Sequence, residues 1–479
     1  MAPSGTAALQ AAAIASAAAS ASAAGAAALA QSSPNYLYRQ KRDWERPTVL
    51  SRYSILGFLS SGTYGRVYKA RIRKHSSDSS PAGLIGTPSA NTPGKKLKLA
   101  KDDGNDDEGE LVAIKKFKPD KEGEAVTYTG ISQSACREIM INREISHEHV
   151  TALREVMLEE KSIYLVFEYA EHDFLQIIHH HSSTRTGIPT LVLKSLLWQL
   201  TNGVSYLHDN WIIHRDLKPA NILVTSSGQV KIGDLGLARL YQEPLQPLYT
   251  SDKIVVTVWY RSPELLLGAR HYTPSIDLWS LGCIFGELLA LRPMFKGEEA
   301  KVEIGAGKKG GVPFQKDQMT RVIEVLGSIE RQQWPSVTHL PEYSQLARLD
   351  RHSDTLEQWL SARIVRGGPM PDQHAFNLLR NFLIYDPTKR ITARQALVHA
   401  WWGFQPVPCA NAFIGLPPGV SYPMRRVTHD ESDPKLSSQG VQKTAPFVGG
   451  NSTGVGSAAA LQQQQQQQQR AGKRSRLDG

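Results

Sequence analysis

The run His214-Arg215-Asp216-Leu217-Lys218-Pro219-Ala220-Asn221, followed a short way on by Asp234-Leu235-Gly236, constrains this chain more than any other feature. It puts a candidate base and two metal-binding side chains into one short segment, as phosphoryl transfer requires. Asp216 can accept the proton of a substrate hydroxyl. Asn221 and Asp234 supply the hard oxygens that Mg²⁺ prefers. Lys218, two residues beyond the base, can reach a transferred phosphate as a point charge. Too many positions match in order for a chance polar run between two apolar segments.

The other parts of such a site stand where this reading requires them. Upstream, Leu111-Val112-Ala113-Ile114-Lys115 reads as a strand from its apolar, β-branched content. A side-chain period of two puts Ala113 and Lys115 on one face. Ala113 is small enough to roof an adenine, and Lys115 can pair with the α- and β-phosphates. Before this strand runs Leu59-Ser60-Ser61-Gly62-Thr63-Tyr64-Gly65-Arg66-Val67, between two strand-like stretches. Gly62 and Gly65 let backbone amides approach phosphate, and Val67 would cover the base. After the lysine strand, Ser134 to Ile141 reads as a helix. Successive residues there turn by about 100°, so Arg137 and Glu138 face different ways. Glu138 pointing inward would hold Lys115.

The chain resembles the cyclin-dependent protein kinases. The stretch Ser132 to Glu138, Asp234-Leu235-Gly236, Ala220, Asn210-Trp211 and Val255 to Arg261 are similar to one branch, the cyclin C-dependent kinases of the Mediator complex, in a fungal form. The likeness runs from about Tyr53 to Trp402. It implies an α+β, bilobal protein-kinase fold with a small β-rich lobe carrying one helix and a larger helical lobe. It also implies a nuclear serine/threonine kinase that uses ATP and Mg²⁺ and needs a cyclin of the C type to bring Glu138 to Lys115. Other Mediator kinase-module subunits are the implied partners. Ser/Thr-Pro sites in the RNA polymerase II C-terminal domain and in transcription factors are the implied substrates. Two other readings are a kinase-fold scaffold of the same complex and a kinase of another cyclin-dependent branch.

Residue by residue, the resemblance puts the hinge at Phe167-Glu168-Tyr169-Ala170, with backbone groups of Glu168 and Ala170 on adenine. Phe167 is the gatekeeper and Asp173 the ribose contact. Arg137, Arg215 and Arg239 match the cluster that binds an activating phosphothreonine, and Asp252 stands where that threonine would be. A carboxylate brings less charge than a phosphate and fewer acceptor oxygens. Asp252 would then neutralise the arginines only in part, and a partner would supply the rest. Val256 and Arg261 match the pocket for the proline after the phosphoacceptor. Leu235 replaces the commoner Phe and fills less space beneath the helix.

The ends differ in composition from the middle of the 479 residues. Residues 1–45 read as a disordered Ala/Ser-rich extension; its first 33 residues contain no Lys or Arg, which excludes a mitochondrial transit peptide. The kinase domain is expected over 46–405, with the small lobe to about 170, a low-complexity insertion at 74–110, and the large lobe over 171–405. Residues 406–479 read as a mostly disordered tail with glutamines at 462–469 and a basic end. That end suits a nuclear import signal or a merely solvated tail equally. In the large lobe, Leu193, Leu196, Leu197, Leu200, Val204 and Leu207 recur at helical spacing. Ile276 to Leu291 is apolar nearly all round, as in a central helix. Asp277 resembles the family's brace for the catalytic loop, and Arg390 the partner of Glu264. A second insertion is expected near Lys301–Gly311. The three cysteines contain no C-x-x-C pair and suit reduced thiols. Neither His147 with His149 nor His179-His180-His181 completes a metal set. A net charge of +10 comes without a nucleic-acid recognition motif, so neither direct nucleic-acid contact nor a membrane is expected.

Overall fold

Alternating, β-branched runs between residues 53 and 168 build a sheet. In the computed structural model, residues 47–62, 65–73, 109–117, 133–159, 162–241, 258–298, 314–365 and 370–429 are described. Strands β1 (Tyr53–Ser61), β2 (Gly65–Ile72), β3 (Leu111–Phe117), β4 (Leu153–Glu159) and β5 (Ser162–Glu168) form one antiparallel sheet in the order β1-β2-β3-β5-β4. The period of two sorts β3 cleanly. Val112 and Ile114 join Tyr53, Ile55, Tyr68 and Val166 in one apolar layer. Ala113 and Phe117 join Leu165 and Phe167 in the other. Lys115 shares the second face, where helix α1 (Gln133–Glu144) packs through Ala135 and Ile139.

The large lobe is helical, as expected: α2 (Phe174–Thr184), α3 (Thr190–Asp209), α4 (Ser275–Ala290), α5 (Lys316–Leu326) and α6 (Gln373–Phe382) frame it. The leucine stripe of α3 lies wholly in the core. Every residue of α4 from Ile276 to Ala290 is buried, so its all-round apolarity reflects a central position.

Short strands hold the functional loops against these helices. β6 (His172–Asp173), β8 (Ile222–Val224) and β9 (Val230–Ile232) form one small sheet, and β7 (Ile212–Ile213) pairs with β10 (Arg239–Leu240). The catalytic run therefore lies between β7 and β8, and Asp234 comes just after β9. Ile222 pairs with Ile232, and Gly233 N–H donates to the Asn221 carbonyl at 2.9 Å. The two side chains expected to bind metal, Asn221 and Asp234, thus flank the open ends of one hairpin.

The domain boundary expected at 405 falls short. Residues 406–429 pack against both lobes: Ala412 and Tyr422 are buried, and the Gln199 amide donates to the Cys409 and Ala410 carbonyls. Thr428 pairs with Phe58 of β1. A polar composition hid this segment because a few anchors and backbone bonds hold it, rather than an apolar stripe. The Ala/Ser-rich extension, residues 74–108 of the first insertion, the Lys301–Gly311 insertion and the chain from 430 lie outside the described residues. No helix among the described residues is long and apolar enough to cross a membrane.

Candidate active site

Lys115 is the centre of the cleft's charge. Its Nζ stands 2.7 Å from Glu138 Oε2 and 2.7 Å from Asp234 Oδ1. Burial alone would lower the lysine, but Asp234 and Glu138 together hold the ammonium above its ordinary value. One ammonium cannot neutralise two carboxylates equally. Burial, with Asp234's charge added, pushes Glu138 up to about 7 against the pull of Lys115. Burial would also raise Asp234, but Lys115 prevails and holds it at about 2. Asp234 is thus the carboxylate that keeps its charge, and it faces the open cleft.

The Lys115–Glu138 pair that the resemblance implies is formed in this structure. Local bonds hold α1 inward: Ser134 Oγ and Arg137 Nη1 both donate to the Gly236 carbonyl, at 3.2 and 3.0 Å. Gly236 has no room for a side chain, since a Cβ would meet Ser134 Oγ at 2.9 Å and Glu138 Oε2 at 3.3 Å. Sequence reasoning missed this clamp; the small-residue neighbourhood of Asp234 was its only signal.

Asp216 sits at the other wall, buried. Lys218 Nζ lies 2.8 Å from its Oδ2, and Asn221 Nδ2 donates both to that oxygen at 3.1 Å and to the Asp216 carbonyl at 2.8 Å. Asp216 Oδ1 is left with no donor among the described residues. Burial raises the Asp216 carboxyl above its ordinary value despite Lys218, making it a stronger base. The brace is where the resemblance put it. Asp277 Oδ1 accepts the Arg215 N–H at 2.8 Å; its Oδ2 accepts the His214 N–H at 2.8 Å and lies 2.9 Å from His208 Nε2. Arg215 itself has φ 70°, a left-handed backbone that a side chain resists. Arg390 grips Glu264 with two parallel bonds, at 2.8 and 3.0 Å.

The residues expected around a nucleotide converge. Leu59, Val67, Ala113 and Phe167 belong to one apolar cluster. Glu168 N–H is committed to the Ala152 carbonyl at 3.1 Å, so only its carbonyl remains for a base. Ala170 is buried, yet its N–H and C=O bond to nothing among the described residues, as a hinge waiting for adenine edges would require. Gly62 N–H donates to the Gly65 carbonyl at 2.9 Å, closing the loop. Among the described residues, a Cβ added to Gly62 would meet nothing within 4 Å, as a phosphate approach needs. Gly65 is glycine for a different reason: a Cβ there would sit 2.5 Å from the Lys116 carbonyl of β3. Thr63 and Tyr64 lie outside the described residues. The donor set also suits a hard cation: Asn221 spends its amide nitrogen on Asp216, freeing its oxygen, and Asp234 Oδ2 has no donor among the described residues.

Of the three arginines expected to cluster, Arg239 lies opposite Ile213 in the β7–β10 ladder, two residues before Arg215, and Arg137 donates to the Gly236 carbonyl. Asp252 and Val256 lie outside the described residues, and Arg261 follows the turn Val258–Tyr260. The histidines have packing roles: His147 stacks on Tyr206, and His181 is buried between Thr186 and Tyr422.

An ammonium shared by two carboxylates, a buried aspartate with its lysine, and a two-lobed frame around them are the arrangement of a protein kinase. The family model of the protein kinase domain matches residues 101–402, and the chain belongs to that family. Serine/threonine-protein kinase SSN3 of Mycosarcoma maydis is 49% identical, covering 84% of this chain and 67% of the relative. The proteins of the same name in Yarrowia lipolytica and Aspergillus terreus are 49% and 48% identical, covering 86% and 81% of this chain and 92% and 84% of the relatives. The chain is therefore a serine/threonine kinase of the SSN3 group.

Proposed function

We propose that the enzyme transfers the ATP γ-phosphoryl group to Ser/Thr-Pro sites, as the kinase of a Mediator kinase module acting in the nucleus with a cyclin of the C type. Its substrates on this reading are the RNA polymerase II C-terminal domain and transcription factors. The observation that carries the catalytic part is the convergence of Lys115, Asp234, Asn221, Lys218 and Asp216 on one cleft. Asp216 Oδ1 takes the proton of the attacking hydroxyl. Lys218 steadies Asp216 and can meet the transferred phosphoryl. Lys115, held by Glu138, orients the α- and β-phosphates, while Ala113, Val67 and Leu59 enclose the base and Ala170 meets its edge. Asn221 and Asp234 would hold magnesium, which when bound neutralises charge on the β- and γ-phosphates.

The nuclear and Mediator parts of this reading are supported by the likeness to the SSN3 kinases. On this reading the cyclin holds α1, and with it the Lys115–Glu138 pair, and orders Arg137, Arg215 and Arg239 with Asp252. The outer side of α1 offers exposed Cys136 and Met140, the latter 67% accessible, for that contact. Purifying the chain with its partners and assaying Ser-Pro against Ser-Ala repeat peptides tests the reading. A cyclin in the complex and Asp216-dependent transfer to the Ser-Pro peptide support it. Transfer that ignores the proline, or survives Asp216→Asn, refutes it.

A further inference from the structure

The segment after the kinase core crosses the mouth of the nucleotide cleft. On the large lobe, Tyr422 is buried, its hydroxyl 3.0 Å from His181 Nε2. At the hinge, His172 Nδ1 bonds the Pro423 carbonyl at 2.9 Å, and Arg425 N–H donates to the Glu171 carbonyl at 2.7 Å. On the small lobe, Phe58 and Thr428 exchange two backbone hydrogen bonds of 2.8 Å each. Leu59, the first residue of the phosphate-facing loop, comes next after Phe58.

The strand is shaped to receive this segment. β1 is the edge of its sheet, and its ladder with β2 slips between Ile55 and Gly57 and again between Phe58 and Ser60. Such bulges turn backbone groups outward, and Thr428 covers the edge so exposed. Gly57 has φ +152°, and a Cβ there would lie 2.4 Å from Val427 Cγ1. Only glycine lets the strap lie this close.

Arg425 also faces the carboxylate read as the ribose contact. Asp173 Oδ1 caps α2 by accepting the Gln176 N–H at 2.8 Å, and its Oδ2 stands 3.8 Å from Arg425 Nε, with both side chains largely buried. That separation is too long for a hydrogen bond. Oδ2 is held by charge yet still able to accept from a hydroxyl.

We propose that Tyr422–Thr428 is a clasp joining the lobes across the nucleotide mouth, which slows nucleotide release, and that Arg425 is a positioning residue that orients Asp173 toward the ribose. The second half rests on the reading of Asp173 as the ribose contact. The lobes cannot part here without breaking the Phe58–Thr428 bonds or the anchors at Tyr422 and Glu171.

The full-length chain tests this with two readouts: release of a fluorescent ADP, and the affinity for ATP relative to 2′,3′-dideoxy-ATP. Thr428→Pro removes the N–H given to Phe58, and should speed ADP release about fivefold while leaving the ATP preference unchanged. Arg425→Ala should narrow the preference for ATP about threefold, and Arg425→Lys should restore most of it. Thermal melts of the three variants separate these effects from unfolding of the core. Wild-type release by Thr428→Pro overturns the clasp. If the parent chain prefers ATP and Arg425→Ala does so equally, the positioning role is overturned. If the parent binds ATP and dideoxy-ATP alike, the ribose reading itself is wrong and Arg425's role falls with it.

Discussion

Asp277→Asn isolates how one buried carboxylate sets the position of the base. Asp277 is 1% exposed and takes three polar partners, with Oδ2 shared by His214 N–H and His208 and Oδ1 given to Arg215 N–H. An asparagine that keeps its oxygen on the His214 side must turn its NH₂ toward the Arg215 N–H. The bond lost is then the one that holds a residue at φ 70°. A charge-assisted bond contributes about 1.5–3 kcal/mol, and a left-handed side-chain residue costs about 1–2 kcal/mol. Without the bond Arg215 should relax and carry Asp216 with it. A loss of about 2–3 kcal/mol in positioning corresponds to a fall in kcat of about 30- to 150-fold. The Lys115–Asp234 wall is untouched, so ATP affinity should stay within about twofold of the parent. Steady-state transfer to a Ser-Pro peptide gives kcat, and titration with ATP gives affinity. A kcat within about threefold of the parent, or a parallel fall in both quantities, would refute the brace. Acid sensitivity supplies a second check. Burial would raise Asp277, but His208, His214 and the Arg215 N–H hold it below the ordinary carboxylate value. Its stabilisation is therefore present above that ordinary value and is lost as pH falls, and the asparagine variant should lack that component of acid unfolding.

Lys115→Met strands Glu138, which is 1% exposed, and should destabilise the fold by about 3–5 kcal/mol in urea unfolding; adding Glu138→Gln should recover most of it. No recovery would mean the pair is not what holds α1. Asp234→Asn should abolish the magnesium dependence of ATP binding in titrations with and without the ion, and an unchanged dependence would remove Asp234 from the metal site. Because burial raises Asp216 against the pull of Lys218, the acid limb of kcat/KM should lie above the free-aspartate value of about 3.9, with activity lost as pH falls through it. Lys218→Ala removes the opposing charge and should move that limb higher still; a limb that moves down contradicts the assignment.

The cleft divides its charge so that each carboxylate has one task. Asp234, kept ionised by Lys115, faces the nucleotide side and is fit for a cation. Glu138, buried and raised to about 7, ties the lysine to α1. Asp216 is raised by burial but paired with Lys218, and its Oδ1 has no donor among the described residues, as the proposed base requires. Exposure and neighbours thus separate the three acidic groups, with Glu138 and Asp216 buried and Asp234 exposed beside Lys115, which is the usual route to distinct acid–base behaviour in one site.

What could be read from the sequence was whatever a short stretch carries by itself. The catalytic run, the lysine strand and Asp234 are contiguous motifs, and the period of two was enough to place Ala113 and Lys115 on one face. The central helix announced itself because Ile276 to Leu291 has no polar stripe. Contacts between distant segments were legible only where a family pattern pointed to them, as with Asp277 and Arg390. The clamp of Ser134 and Arg137 on the Gly236 carbonyl needs the fold, because its acceptor is a backbone oxygen identical in every residue. Residues 406–429 were missed for the same reason. Their polar composition suggested a tail, yet Thr428 binds through its main chain, Arg425 gives Glu171 a main-chain bond, and Tyr422 is one aromatic anchor among solvated neighbours. Two sequence marks did stand in plain view. Tyr422-Pro423 is an apolar, stiff pair inside a polar stretch, and Gly57 breaks β1 at the one point where a side chain would collide with Val427. A glycine inside a strand often records the close approach of another backbone. Here the approaching chain lies some 370 positions away, and that separation, rather than any weakness of the signal, is what made it unreadable.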